Sequence, residues 1–305
     1  MRIIPATLAV FVLACTSAPL TYAADLTFHK SLTASGPVAL NVCSNSGLIH
    51  VTGVSGNSIQ ISATIHKGNW HAIGNADTMK KIAATPPIQQ TGNTVKVGDS
   101  STCGAGLLEN VDIDYEISVP RDSTVVAKAT GAIHVESING FVRVHTGSGD
   151  ITVNGIGAES MLSTGSGNLD IQGAHGMLLA KTGSGSLNIH DSDISSESQL
   201  LVGSGNITAT NLKGGMRVST GNGNISMAGI PTSDWMMRTG NGTIHFAADG
   251  NAKFELDAET GSGTIDSSLP APLSGHFTDG VLRGPVHGGG SVVKIYTGSG
   301  NITLQ

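Results

Sequence analysis

From Thr146 onward the chain alternates polar and apolar residues in short bursts separated by Gly-x-Gly. Thr146-Gly147-Ser148-Gly149-Asp150-Ile151-Thr152-Val153 is the first full example. Ile151 and Val153 fall on one side of such a segment, Asp150 and Thr152 on the other, which is the period-2 signature of a half-buried strand. A second alternating run precedes each glycine pair. In one copy Ser160, Leu162 and Thr164 share the inner face, with Met161 and Ser163 opposite. The first glycines of the copies are Gly147, Gly165, Gly183, Gly203, Gly221, Gly240, Gly261 and Gly298, in steps of 18, 18, 20, 18, 19, 21 and 37 residues. A period near 20 denotes stacked units that bury their apolar faces only against neighbours. The pattern therefore predicts an all-β fold, a parallel β-solenoid (β-helix) of about 18–20 residues per coil. Ile151, Leu169, Leu187, Ile207, Ile225, Ile244 and Ile265 should form one buried column.

Residues 25–130 alternate less regularly. Asn75 to Ala84 carries Asp77 near its start, apolar Met79, Ile82 and Ala83, and Pro86-Pro87 beyond its end, so it is predicted to be a helix. Ile88 to Val97 reads as a hairpin around Gly92-Asn93. Val111 to Pro120 alternates cleanly, and Ser46–Val51 and Gly131–Val135 are degenerate copies of the repeat. A solenoid needs its first coil covered. Residues 25–130 are accordingly expected to be an irregular N-terminal β cap containing one short helix, and 131–305 the solenoid, with a looser stretch at 267–291.

Residues 1–24 have the layout of a secretory signal: Arg2, an apolar run from Ile3 to Ala14, and small residues up to Ala23-Ala24. A rival reading takes Val12-Leu13-Ala14-Cys15 as a lipobox, with a lipid anchor on Cys15. No other segment has the length and apolarity of a transmembrane helix. Export to the periplasm or cell surface makes disulfides favourable, and with Cys15 in the leader, Cys43 and Cys103 are expected to pair. With 42 glycines, 12% charged residues and a net charge of −6, the chain lacks the basic footprint of a nucleic-acid binder.

The strand Asp114-Tyr115-Glu116-Ile117-Ser118-Val119-Pro120, the Gly-[Ser/Asn]-Gly-x-Ile-x-Val copies and the ending Gly288-Gly289-Gly290…Tyr296-Thr297-Gly298-Ser299-Gly300-Asn301-Ile302 together resemble the bacterial "putative adhesin" β-helix family, a domain of unknown function. The resemblance covers nearly the whole mature chain. It implies an exported, non-catalytic, adhesin-like protein of the periplasm or surface, and it carries no functional residues to transfer.

Candidate chemistry is sparse. The Gly-x-Gly corners are followed by strands, not by the helix a phosphate loop requires. Calcium-binding repeats need carboxylates, whereas the residue after the corner is Asp150, Asn168, Ser186, Asn206, Asn224, Thr243, Thr264 or Asn301, which predicts a neutral polar ladder. No metal or cofactor is expected. Asp112, Asp114 and Glu116 share an outward strand face, and Asp191-Ser192-Asp193 with Glu197 is placed in a loop. His50, His134 and His245 hold equivalent outward positions but not in adjacent copies, so no metal stack is expected; His66 and His71 flank Trp70.

A carbohydrate-active lyase or hydrolase on a β-helix is the alternative to a binding module, and it would need a pair of carboxyl groups across the sugar. Asp170 and Asp266 stand alone, far apart along the stack. Asp257 and Glu259 share a face, but Arg238 precedes Glu259 in its column and an ion pair between them is expected. The remaining signal is a basic stripe on the outer face of the strand before each corner: Arg143, His145, Lys181, Arg217, Arg238 and Lys294, with Tyr296 beside them. These seven residues are the candidate ligand-binding set. The partner they suit is an anionic surface polysaccharide, with another envelope protein as the other candidate.

Overall fold

The computed structural model describes residues 25–67, 75–98, 111–270 and 280–305. The expected signal peptide, Cys15, Trp70, His71 and Cys103 lie outside the described residues. The N-terminal part contains β1 (Leu26–Thr33), β2 (Ala39–Cys43), β3 (Ile49–Val54) and β4 (Ser58–Lys67). The helix α1 (Asn75–Ala84) and the antiparallel hairpin β5 (Ile88–Thr91) and β6 (Thr94–Val97) follow, both where the sequence puts them. Then come β7 (Val111–Pro120), β8 (Thr124–Ala129), β9 (Ile133–Ile138), β10 (Val142–Thr146), β11 (Ile151–Ile156), β12 (Ser160–Thr164), β13 (Leu169–Gly176) and β14 (Leu178–Ser184). Three long bent strands, β15 (Leu187–Ser204), β16 (Ile207–Asn222) and β17 (Ile225–Asn241), each supply most of a coil. The C-terminal part holds β18 (Ile244–Ala248), β19 (Phe254–Thr260), β20 (Ile265–Ser267), β21 (Val281–Val286), β22 (Ser291–Ser299) and β23 (Ile302–Leu304).

The strands stack in parallel as two walls around one apolar core. The first wall, made of the strands before each corner, runs β6, β2, β8, β10, β12, β14, the C-terminal halves of β15, β16 and β17, then β22 and β19. The second wall, after the corner, runs β7, β3, β9, β11, β13, the N-terminal halves of β15, β16 and β17, then β18, β23 and β20. Ile151, Leu169, Leu187, Ile207, Ile225 and Ile244 are successive register partners and are buried, as the repeat predicts. Upstream the column continues through Ile133, Ile49 and Tyr115.

The order of the last coils departs from chain order. Ile302, not Ile265, stacks on Ile244, and Ile265 stacks on the far side of Ile302. The coil of β22 and β23 is thus inserted between that of β17–β18 and that of β19–β20. The 37-residue step between Gly261 and Gly298 gives the chain length to run back through β21, which closes β19 antiparallel. The other end mirrors this arrangement: β2–β3, first in sequence, is covered by β6–β7, and β4 and β1 finish that wall antiparallel.

The corner is held by side chains that the repeat conserves internally. Buried Thr164, Thr182, Thr220, Thr239, Thr297 and Thr260 each donate a hydroxyl hydrogen bond of 2.8–3.0 Å to a corner glycine carbonyl of the adjacent coil. One position past the glycines, the side-chain oxygens of Asp150, Asn168, Asn206, Asn224 and Asn301 accept the backbone N–H of the equivalent residue in the next coil at 2.7–3.0 Å. The ladder predicted at this position is therefore a backbone-capping device, and the lone Asp150 takes part in it like its amide counterparts.

A second corner follows the second wall. Ser137, Gly155, Gly173, Asp191 and Asn211 have φ between +52° and +68°, a region that Gly, Asn and Asp enter most readily. Asn211 Nδ2 donates to Asp191 Oδ1 at 2.7 Å. Asp191, Ser192 and Asp193 therefore lie within β15 and not in a loop: positive φ at one residue lets the strand turn without leaving the hydrogen-bonded stack.

Candidate functional site

All seven residues of the basic stripe are exposed on the outer face of the first wall. They fall into two register columns. Arg143, Met161, Leu179, Gln199, Arg217, Met236, Lys294 and Asp257 succeed one another coil by coil in the first. His145, Ser163, Lys181, Leu201, Ser219, Arg238, Tyr296 and Glu259 do so in the second. Lys128 precedes His145 in its column and is a further cation on the face. The in-register stacking comes from the inner residues: with period 2, burying Val144, Ala180, Val218, Met237 and Ile295 fixes which side chains face out.

Three concavities lie along this face. One of about 390 Å³ is lined by Arg143, His145, Met161, Lys181 and Leu201 among others. One of about 710 Å³ has Arg217, Met236 and Lys294 on its floor and Ser196, Thr232, Ser233 and Asp234 among its walls. One of about 260 Å³ is bounded by Arg238, Lys294, Tyr296, Asp257 and Glu259. The wall of the middle one follows from coil length. Between Gly214 and Met216 the turn of β16 is short, whereas the neighbouring turns run from Ile194 to Ser198 and from Pro231 to Trp235. Leu201, Met236 and Tyr296, the exposed large hydrophobic residues among those described, all sit on this face at 36–38% exposure. Leu201 and Tyr296 occupy cross-strand positions where cations stand in other coils, so the sequence signal for them was the outward phase of the strand.

The expected Arg238–Glu259 ion pair is not formed. The inserted coil puts Tyr296 between them, and the Arg238 guanidinium lies over the Tyr296 ring, 5.1 Å from its centroid. Arg283, on β21, takes the carboxylates instead, with Nε 2.6 Å from Asp257 Oδ1 and one terminal nitrogen 3.9 Å from Glu259 Oε2. Those carboxylates hold the Arg283 guanidinium further above its ordinary range. At the other end Arg143 donates to Met161 Sδ at 3.3 Å and stacks 5.5 Å from the Phe141 centroid.

The second wall has a different outer face. His50 and His134, expected in non-adjacent copies, are register partners, because β3 stacks directly on β9. Their rings meet edge-on at 6.0 Å, and His50 Nε2 is 3.8 Å from Glu136 Oε1. His245 lies apart, opposite Ser226 and Thr303. Among the described residues no group of three or more His, Cys, Asp or Glu side chains is placed to hold a metal ion. Asp150 and Asp170 line one concavity of about 380 Å³; Asp150 accepts the Asn168 N–H at 2.7 Å, and Asp170 is 3.8 Å from His190 Nε2. Asp170 therefore has acidic company that its position in the repeat does not suggest.

Asp112 and Asp114 also have partners. Asp112 accepts from the Ser46 hydroxyl, and Asp114 accepts the Leu48 N–H at 2.7 Å. His66 sits between Asp25 and Asp114 at 3.1 and 3.0 Å. Partial burial works to lower its pKa, but the hydrogen bonds and charges of Asp114 and Asp25 outweigh it and raise the net value. Cys43 is buried at the end of β2. Among the described residues no helix is long and apolar enough to cross a membrane.

No curated protein matches the chain. Among solved structures, the chain is similar to a "putative cell adhesion protein" from Clostridium sporogenes ATCC 15579, at 12% identity and a TM-score of 0.26, covering 92% of this chain and 99% of that one. It is also similar to a "putative adhesin" from Bacteroides fragilis NCTC 9343, at 14% identity, a TM-score of 0.31 and 92% and 97% coverage. A "putative lipid binding protein" from Parabacteroides distasonis ATCC 8503 matches at 13% identity, a TM-score of 0.38 and 92% and 96% coverage. A family profile matches residues 70–305, which include both walls of the stack from β7 onward, and the chain therefore belongs to the Toastrack DUF4097 family.

Proposed function

We propose that this chain is an exported, non-catalytic binding module of adhesin type, and that the outer face of its first wall holds an anionic surface polysaccharide. One observation carries the proposal: the exposed Leu201, Met236 and Tyr296 lie on the same face as Arg143, Lys181, Arg217, Arg238 and Lys294. The chain has a net charge of −6, so a basic face with exposed apolar side chains runs against its average composition. Exposed apolar groups amid polar ones mark interaction sites, and the cations set the sign of the partner. Cleavage after the leader, or a lipid on Cys15, would place the module in the periplasm or at the cell surface, where such polymers occur.

A carbohydrate-active enzyme is the second reading, and the shared concavity of Asp150 and Asp170 is the observation in its favour. Release of reducing ends from an acidic polysaccharide, abolished by Asp170→Asn, would establish it.

The test of the binding reading is titration of the purified protein with acidic polysaccharides at low and high salt. Binding should fall steeply as salt rises, because exposed charges are screened beyond a Debye length of about 8 Å at physiological ionic strength. Replacing Arg143, Lys181, Arg217 and Arg238 together by Gln should remove it while the far-UV circular dichroism stays that of the parent. Retention of binding by the substituted protein, or none by the parent at low salt, overturns the proposal.

A further inference from the structure

From Arg143 through Lys181 and Arg217 to Lys294, a cation recurs on every second coil of this face. The coil of Arg143 and His145 is followed by that of Met161 and Ser163, then by the coil of Lys181. Leu201 and Gln199 come next, then Arg217, then Met236, then Lys294. Every second coil thus presents a cation, and those between present Met161, Leu201 or Met236. Two cations fall outside this spacing: Lys128, on the coil before that of Arg143, and Arg238, on the coil of Met236, whose guanidinium is folded over the Tyr296 ring. With strands about 4.8 Å apart, successive cations lie about 9.6 Å from one another along the axis. The three concavities run along this line, so the face is a shallow trough and not a plane.

We infer that the face reads a linear acidic polysaccharide in which an acid-bearing sugar alternates with a neutral one, laid along the solenoid axis. This rests on the polysaccharide reading proposed above. Two coils match the length of an extended disaccharide, so each carboxylate or sulfate of such a polymer meets a cation. The apolar C–H face of each neutral sugar then covers Met161, Leu201 or Met236. A polymer with an acid on every sugar sets half of its charges over apolar side chains, where they lose water without gaining a partner, and this discriminates against it. A lipid bilayer is flat on this scale and cannot follow the trough, which makes a membrane the disfavoured source of anionic groups.

The experiment compares length-matched hyaluronate, which carries an acid on alternate sugars, with polygalacturonate, which carries one on every sugar, by calorimetry at low salt. Phosphatidylglycerol vesicles serve as the lipid arm. Hyaluronate should bind more tightly by roughly fivefold, about the worth of one exposed ion pair, despite its lower charge density. The paired substitution Ser163→Lys with Lys181→Ser preserves net charge but moves one cation onto the coil next to Arg143, and should erase that preference. If the swapped chain does not melt like the parent, Leu201→Lys, which puts a cation on an apolar coil, should shift the preference toward polygalacturonate. Equal or tighter binding of polygalacturonate by the parent, or an unchanged preference in the variants, overturns the inference and leaves the binding module standing. Binding of neither polymer, or of vesicles alone, overturns both.

Discussion

Alanine at Gly149 tests how closely the coils approach at the Gly-x-Gly corner. A Cβ there would stand 2.2 Å from both the carbonyl carbon and the oxygen of Gly131, and 2.5 Å from the Ala132 nitrogen, in the adjacent coil. Favourable contact between heavy atoms lies near 3.5–4.0 Å, so the coils must part by about 1 Å or more. The obstructing atoms are backbone and are tied in place. The Gly131 carbonyl accepts the Thr146 hydroxyl at 2.6 Å, and the Gly149 N–H reaches the Thr130 carbonyl at 3.0 Å. Overpacking typically destabilises by about 1–3 kcal/mol, and each lost hydrogen bond adds about 1 kcal/mol. Gly149→Ala should therefore lower stability by roughly 3–4 kcal/mol.

Gly147, in the same corner, is the control. Its Cβ would meet nothing closer than Thr130 Cγ2 at 3.4 Å, and neither glycine has a positive φ, so the two substitutions differ in sterics and not in backbone strain. Gly147→Ala should change stability by no more than about 0.5 kcal/mol, as ordinary surface substitutions do. Urea unfolding followed by circular dichroism gives the comparison. Because coils couple mainly to their neighbours, hydrogen exchange in peptides spanning residues 129–152 should show the Gly149→Ala opening locally. Equal effects of the two alanines would mean that the coils do not meet at this corner in the register described.

Two further outcomes concern residues N-terminal to the repeats. In protein from an oxidising compartment, Cys43 and Cys103 should be joined; intact mass should show two hydrogens lost, and reduction should lower stability on the order of 4 kcal/mol for a loop of about 60 residues, whereas two free thiols by mass would refute the pairing. His66, raised above its usual pKa by Asp114 and Asp25 against partial desolvation, contributes stability that is fully present below about pH 6.5 and is lost as pH rises through the higher folded value. Its half-exposed ring keeps the effect small. Parent and His66→Gln should differ in urea midpoint at pH 5.5 and converge by pH 8; a constant difference would show that the charge on His66 is not involved.

What the sequence discloses here is what repeats in both spacing and residue type. The Ile/Leu column and the Thr before every corner but that of Gly203, where Val202 stands, recur at a nearly constant spacing through most of the repeats, so phase alone assigns them to the core. The second corner recurs in conformation only. Ser137, Gly155, Gly173, Asp191 and Asn211 share a positive φ, but several residue types tolerate it and no motif marks it. The His50–His134 contact was hidden for a different reason. The two residues lie in degenerate copies separated by the helix and hairpin, and only the return of β8 and β9 onto β2 and β3 makes those copies neighbours.

Order of stacking is the property least written in the repeat, since any copy can stack on any other. The structure resolves it the same way at both ends: the terminal coil is held between two later or earlier ones, and the outer layers close with antiparallel strands, β21 at one end and β4 with β1 at the other. An open parallel edge is a template for pairing with other chains, and a strand that reverses direction ends the parallel register. The inserted coil has a second consequence, on the outer face of the first wall. In chain order Glu259 would follow directly on Arg238 and Asp257 on Met236, bringing carboxylates against the last cations. The insertion places Lys294 and Tyr296 there instead, lengthens the cationic track by one coil, and leaves Asp257 and Glu259 to Arg283 on the closing strand. The same rearrangement that finishes the fold thus keeps the acidic residues of the final coil from neutralising the track.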